Sequence, residues 1–178
     1  HNSNASFTYS YASAANFTIS LVAVSDSGCK SDLFPRQVAV HPLPVADFKM
    51  PASVCMPFGT ASFINQSTVS DNSAMNYQWD FGDLSPVYSG TNANHVYAAS
   101  SSYIIKLTAT SVFGCTHDTT KAFASFFDKP IAKFDVTPDA LCQGNSNTFT
   151  DLSTADTTIT GHLWDFGDGS TSSSNGAV

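Results

Sequence analysis

The chain has 178 residues and a formal net charge of −7, and all 14 acidic residues are Asp because the sequence contains no Glu. Glu favours helices, whereas Asp, Ser and Thr favour turns and caps, so the composition argues against a helix-rich enzyme. The seven basic residues form no cluster, and no apolar run approaches the ~20 residues that cross a bilayer, so we expect neither nucleic-acid binding nor membrane insertion.

Alternating apolar and polar residues predict several short strands in the middle of the chain. In chain order these are 45–49, 60–65, 77–81, 95–97, 103–110 and 119–126. Tyr77, Trp79 and Phe81 share one strand face, which we expect to point into the core. Clusters of Ser, Asn, Gly and Pro separate the strands as turns. The pattern predicts an all-β fold of immunoglobulin-like β-sandwich type.

The sequence also repeats itself with a period of about 86 residues. Residues 17–21 align with 103–107 at an offset of 86, and further residues match at nearly the same offset. The other matching pairs are Gly28 with Gly114, Cys29 with Cys115, Phe48 with Phe134, Phe63 with Phe149, Trp79 with Trp164 and Cys55 with Cys142. Such a period suits one small sandwich domain and is too long for a solenoid turn.

Two copies of one short motif carry a family resemblance. Residues 77–83 read YQWDFGD and residues 163–169 read LWDFGDG, and HVY at 95–97 precedes YIIKLT at 103–108. These segments resemble the polycystic kidney disease (PKD) repeat, and imply tandem PKD-like sandwiches. The structural motif residues are Trp79, Asp80, Gly82 and Asp83, with Trp164, Asp165, Gly167 and Asp168 in the second copy. Leu84 stands where the family has Gly.

The register of the repeat predicts one complete domain and two halves. Residues 45–130 span a whole PKD-like domain, residues 1–44 only the C-terminal half of one, and residues 131–178 only the N-terminal half. Half a sandwich cannot bury its apolar face. Two explanations fit: a segment cut from a longer tandem array, consistent with a first residue His1 and no signal peptide, or halves completed head-to-tail by neighbouring chains.

The four cysteines, Cys29, Cys55, Cys115 and Cys142, are disulfide candidates. No C-x-x-C motif or suitably spaced His accompanies them, which argues against zinc. If five strands separate Cys55 from Cys115, the two lie at opposite ends of the sandwich and each bonds to a neighbouring domain. If only four do, they pair within the domain. We expect the first arrangement. In both arrangements Cys29 and Cys142 need partners that this chain's own termini do not supply.

Four carboxylates in the repeated motif are weak candidates for a metal site. Asp80, Asp83, Asp165 and Asp168 flank glycines at strand ends. Calcium takes six to eight oxygens, and the motif supplies only two carboxylates per copy. Asp beside Gly is also an ordinary turn residue that caps its own backbone. We therefore expect a structural turn and no cofactor, with calcium as the lesser alternative.

Catalytic motifs are missing from the sequence, so we expect no enzyme. Neither H-E-x-x-H nor G-x-S-x-G occurs, and His95 is replaced by Tyr9 in the first copy. Thr119 and Thr157 each follow Asp in an Asp-Thr-Thr sequence that resembles an O-glycosylation site of bacterial surface proteins.

These features predict a non-catalytic extracellular repeat protein at the bacterial cell surface, forming a stalk, adhesin shaft or filament. The Cys-containing variety of the repeat resembles that of large bacterial surface adhesins and filaments. Expected partners are neighbouring repeats or copies of the chain, arranged head-to-tail, with surface glycans as a further possibility. The alternative is a carbohydrate-binding or spacer module of a secreted hydrolase. An exposed aromatic strip would favour sugar binding, whereas polar faces on strands such as 103–110 favour a shaft.

Overall fold

The computed structural model describes residues 6–140 and 142–173. Every regular element in these ranges is a β-strand, and the fold is an all-β sandwich, as predicted. The strands are β1 (Ala15–Leu21), β2 (Phe34–Val40), β3 (Phe48–Lys49), β4 (Val54–Met56), β5 (Thr60–Asn65), β6 (Met75–Asp80), β7 (Tyr88–Ser89), β8 (Ala93–Val96), β9 (Tyr103–Ser111), β10 (Thr116–Phe123), β11 (Phe126–Asp128), β12 (Phe134–Thr137), β13 (Thr148–Asp151), β14 (Trp164–Asp165) and β15 (Thr171–Ser172). Among the described residues, no helix could cross a membrane.

The chain forms two compact units. The first comprises His1–Lys49, Ile64–Ala93 and Ile104–Lys121, and the second comprises Met50–Phe63, Asn94–Tyr103 and Ala122–Val178. The first unit contains the β1–β2 hairpin and most of a four-stranded sheet. The second contains the parallel pair β4–β11 and the antiparallel pairs β12–β13 and β14–β15.

The four-stranded sheet has the order β10-β9-β6-β7. β6 runs antiparallel to β9, with Trp79 opposite Leu107. Along β9, Ile105, Leu107 and Ala109 are buried, and Lys106 between them is exposed. The period-2 alternation of the sequence therefore corresponds to one buried and one solvated face, as a half-buried strand requires.

A second sheet has the order β3-β5-β8. Phe48 of β3 packs edge-to-face against Trp79 of β6, with ring centroids 5.3 Å apart at 74°. Both side chains are fully buried. This aromatic pair joins the two sheets of the sandwich, since each sheet contributes one ring.

The second unit has an aromatic cluster of its own. Tyr97 stacks on Tyr103 at 4.3 Å and packs edge-to-face against Phe126 at 5.2 Å. Phe126 also contacts Phe123. Tyr97 is fully buried, so the H-x-Y segment of the sequence contributes its Tyr to the core.

Two short strands, β4 and β11, were not predicted from the sequence, and β7 is the further strand that the expected five-strand count required. β4 and β7 have three and two residues, and the predicted strand 119–126 is divided, since β10 ends at Phe123 and β11 starts at Phe126. β11 pairs in parallel with β4, whose residues lie some 70 positions earlier. Such pairing depends on tertiary contacts, which a local alternation pattern does not contain.

The strand count between Cys55 and Cys115 is five, because residues 85–97 provide both β7 and β8.

Candidate functional site

The repeated motif forms the same turn in both copies. Asp80 ends β6, and its Oδ1 accepts the backbone N–H of Gly82 at 2.9 Å. Asp165 ends β14 and accepts the N–H of Gly167, also at 2.9 Å. Both glycines have positive φ, of 74° and 80°. These carboxylates cap their own backbone, as Asp does in ordinary turns.

The second Asp of each motif binds the serine two residues later. Asp83 accepts the N–H and hydroxyl of Ser85 at 3.1 and 2.6 Å. Asp168 accepts the same two groups of Ser170, and the hydroxyl and then the N–H hold the pKa of Asp168 below its ordinary value. Within residues 6–140 and 142–173, no three His, Cys, Asp or Glu side chains form a metal-binding group. The calcium alternative therefore stays an untested prediction, and the observed geometry is that of a structural turn.

Leu84 is the residue at which the first motif turn departs from the family pattern. It has a φ of 66° and is fully exposed at the tip of the turn. In the second copy the same place is held by Gly169, with a φ of 92°. The turn thus keeps its left-handed backbone with a side chain for which that conformation is unfavourable.

The two motif tryptophans lie in different environments. Trp79 is fully buried and donates its indole N–H to the carbonyl oxygen of Gly90 at 2.9 Å. It is therefore not available to stack on a sugar. Trp164 is only half-buried and lines a cleft in the second unit.

This aromatic cleft, formed within residues 130–166, has a volume of about 360 Å³. Its apolar walls include Phe134, Phe149, Trp164 and Phe166. Phe134 lies edge-to-face with Trp164 at 5.4 Å, and Phe149 lies 5.3 Å from Phe166. These residues align with Phe48, Phe63, Trp79 and Phe81, all of which are buried. The cleft therefore exposes side chains whose aligned counterparts in residues 45–130 are buried.

A cluster of polar side chains also lines the aromatic cleft. His162 Nε2 is 2.8 Å from Asp151 Oδ2, and the Ser153 hydroxyl donates to Asp151 Oδ1 at 2.6 Å. The Ser153 hydroxyl, then its N–H, and then His162 hold the pKa of Asp151 below its ordinary value. Because the hydroxyl is bonded to the carboxylate and not to the imidazole, this is no activated nucleophile of the Ser-His-Asp kind.

Neither Asp151 nor His162 belongs to a motif that predicts a site from the sequence. The only available signal was a difference between the copies, since Asn65 and Tyr77 hold the aligned positions in residues 45–130. The His95 ring, whose place Tyr9 takes in the first copy, lies 4.6 Å from the Tyr97 ring in an edge-to-face contact.

All four cysteines lie within the described residues and none is bonded to another. Cys29, Cys55 and Cys142 are exposed, and Cys115 is half-buried. The disulfide prediction is therefore not realised within this single chain. The five-strand count corresponds to the arrangement in which Cys55 and Cys115 bond to neighbouring domains. Non-reducing electrophoresis tests whether such disulfides form.

The two glycosylation candidates differ in accessibility. Thr119 lies in β10 and is half-buried, whereas Thr157 is exposed in an irregular segment. The Asp156 side chain beside Thr157 accepts the backbone N–H of Asp128 at 3.1 Å. Thr157 is accordingly the more accessible of the two hydroxyls.

The middle of the chain is similar to known PKD domains. The family model described as PKD domain matches residues 41–125. Among solved structures, the crystal structure of the PKD1 domain of Vibrio anguillarum Epp is 26% identical, with a TM-score of 0.41. The match covers 47% of this chain and 93% of that one. No curated protein matches the chain.

Proposed function

Residues 41–125 are a PKD domain, and we propose that the chain is part of a non-catalytic repeat protein that forms a stalk, adhesin shaft or filament on the bacterial cell surface. PKD domains are usually extracellular or surface-exposed modules of structural or adhesion type and are typically non-catalytic. In this proposal the function lies in the length and stiffness of an array of such domains. The segments 1–44 and 131–178 belong to adjoining domains that neighbouring repeats or copies complete head-to-tail.

The observation that carries the proposal is the division of residues between the two faces of the central sheet. The inward face of β9 carries the buried Ile105 and Leu107, and the outer face carries the exposed Ile104 and Lys106 and the half-buried Thr108 and Thr110. A sugar-binding face would present aromatic side chains to solvent. The outer face of β9 is mostly polar and carries no aromatic side chain, which supports the role of a spacer over that of a sugar-binding module.

A carbohydrate-binding module is the second candidate, because the aromatic cleft combines Trp164 with the polar pair Asp151–His162. Aromatic rings with nearby hydrogen-bonding groups suit a sugar ring. Affinity electrophoresis of the chain through gels containing soluble polysaccharides tests this candidate. We expect no retardation, and retardation that Trp164→Ala abolishes would favour sugar binding.

Single-molecule force spectroscopy tests the structural role. The full chain is held by its two ends and stretched. We expect one cooperative event that releases roughly 30 nm, the contour of a PKD domain of about 85 residues at ~3.6 Å each. Trp79→Ala should lower the unfolding force. A chain that extends without any resolved unfolding event would contradict the proposed structural role.

A further inference from the structure

The geometry points to a specific occupant for the aromatic cleft of residues 130–166: the β1–β2 hairpin of a second copy of this chain. In this assembly β1 pairs with β14 and the hairpin closes the cleft. The inference rests on the proposed function, and it names the partner, the strand edge and the register of the head-to-tail contact.

The sheet orders of the three segments predict this pairing. In the complete domain the order is β10-β9-β6-β7. By the repeat, β1 and β2 correspond to β9 and β10, and β14 and β15 correspond to β6 and β7. Among the described residues, β1–β2 and β14–β15 form separate two-stranded sheets. Adding β1 to β14 gives the order β2-β1-β14-β15, which restores the four-stranded sheet.

The register follows from the complete domain. There Trp79 lies opposite Leu107, and Asp80 lies opposite Lys106. The aligned residues place Leu21 opposite Trp164 and Ser20 opposite Asp165. A shift of one residue would turn the apolar side chains of β1 to solvent, so the buried face specifies this register.

Both surfaces are already arranged as they are in the complete domain. Phe134 and Trp164 meet at 5.4 Å and 74°, and Phe48 and Trp79 at 5.3 Å and 74°. On the hairpin side, Tyr11 stacks on Phe17 at 4.4 Å and 25°. The aligned pair Tyr97–Tyr103 stacks at 4.3 Å and 24°. Little rearrangement is then needed on docking, which lowers the cost of association.

Exposed apolar side chains identify the area that the contact would bury. Leu21 is 67% exposed, whereas the aligned Leu107 is 0% exposed. Phe134 is 58% exposed, whereas Phe48 is 0% exposed. Ile19 is also exposed on the same face of β1 as Leu21. Burial of these side chains supplies the driving force for the contact.

Gly167 leaves room for the incoming strand. A Cβ at Gly82 would lie 2.5 Å from the carbonyl oxygen of Ile104, so the motif glycine touches the backbone of β9. A Cβ at Gly167 would meet no atom within 4 Å. Thr18 of β1 aligns with Ile104, and the space beside Gly167 is where its backbone would lie.

Site-directed cross-linking of the full chain tests the register. In a background with all four cysteines replaced by serine, chains carrying Ser20→Cys are mixed with chains carrying Asp165→Cys and oxidised. We expect a disulfide-linked dimer of one chain of each kind, because directly opposed residues on adjacent strands lie within disulfide range. The matched control uses Thr18→Cys with Asp165→Cys, which is two residues out of register on the same face, and should yield at least about tenfold less dimer.

A second pair of variants separates docking from unspecific association. Leu21→Asp places a charge on the face that docks and should abolish the dimer. Thr18→Asp places the same charge on the opposite face of β1 and should leave it. Both residues are exposed in the single chain, so neither change should unfold it.

Three results would overturn the inference. The first is the absence of cross-linked dimer, with a monomer in sedimentation up to high concentration. The second is a cross-link that forms within one chain carrying both cysteines. The third is binding of a soluble oligosaccharide in the cleft that Trp164→Ala abolishes and Leu21→Asp leaves unchanged. Force spectroscopy of the central domain is independent of all three, so the proposed structural role would survive a failure of the docking contact.

Discussion

Lys121 of β10 forms an ion pair with Asp47, with Nζ 2.7 Å from Oδ1. The same ammonium donates to the carbonyl oxygen of Phe48 and lies 4.9 Å from the centroid of the Phe48 ring. One side chain on the four-stranded sheet therefore binds the entry to β3 in three ways. The N–H of Phe48 also donates to Asp47 Oδ1 at 2.9 Å.

These contacts predict how acid affects stability. The hydrogen bond from Lys121, followed by that from Phe48 N–H, lowers the pKa of Asp47 below its ordinary value of 3.8. A lowered pKa in the folded state means that the contribution is complete above the ordinary value and is lost as pH falls through the lower folded-state pKa. We expect Asp47→Asn to lower stability near about pH 6 and to have little effect near about pH 2, measured by urea unfolding.

Asp118→Asn is the matched control for that prediction. Asp118 pairs with Lys106 at 3.0 Å on the exposed face, and both side chains are about half exposed. An exposed ion pair that lacks a backbone hydrogen bond like the one from Phe48 N–H to Asp47 contributes little, so the variant should resemble the parent at both pH values. An Asp47→Asn effect of equal size at both pH values would contradict the assigned role of the Lys121 contact.

Alanine replacements of the two motif tryptophans should differ in cost. Trp79 is fully buried against Phe48, so Trp79→Ala should destabilise the PKD domain by about 3–5 kcal/mol. Trp164 is half-buried, and Trp164→Ala should cost less than half as much in the single chain. Chemical denaturation followed by circular dichroism measures both values. Equal costs would show that the cleft is packed as tightly as the core.

The motif glycines provide a second matched pair. Gly82→Ala and Gly167→Ala share the penalty of a positive φ, about 1 kcal/mol or more. Only Gly82→Ala also places a Cβ against the Ile104 backbone. We therefore expect Gly82→Ala to lower the melting temperature clearly more than Gly167→Ala. If the two shifts are the same, the close approach to Ile104 is not what requires glycine there.

Leu84 offers a stabilising substitution. Its φ of 66° costs a non-glycine residue energy, and its side chain is fully exposed. Leu84→Gly should relieve that cost and stabilise the domain by up to about 1 kcal/mol. Leu43→Gly is the control, since Leu43 is also exposed but has no left-handed backbone, and should destabilise by about 0.5–1 kcal/mol. Thermal unfolding of both variants gives the comparison, and a Leu84→Gly variant less stable than the parent would refute the argument.

Local patterns were sufficient to predict the fold class and the buried residues around Trp79. The period-2 alternation around Trp79 and along 103–110 corresponds to β6 and β9, with Trp79, Phe81, Ile105 and Leu107 buried. The repeated motif likewise predicted turns in which each Asp caps its own backbone, because Asx turns are formed by residues that are neighbours in sequence. The candidate site was harder to predict, since no motif marks the loop that brings His162 back to Asp151, 11 residues earlier in the chain.

The sequence by itself determined the all-β class, the period near 86 residues and the two copies of the motif turn, because alternation and turn chemistry are local properties of the chain. Only the tertiary structure decided the parallel pairing of β4 with β11, the presence of both β7 and β8, and the different burial of Trp79 and Trp164. Nearly identical motifs have different environments because burial depends on the strands that pack over them. Residues 45–130 contain those strands for Trp79, whereas the cleft around Trp164 is still open within the described chain.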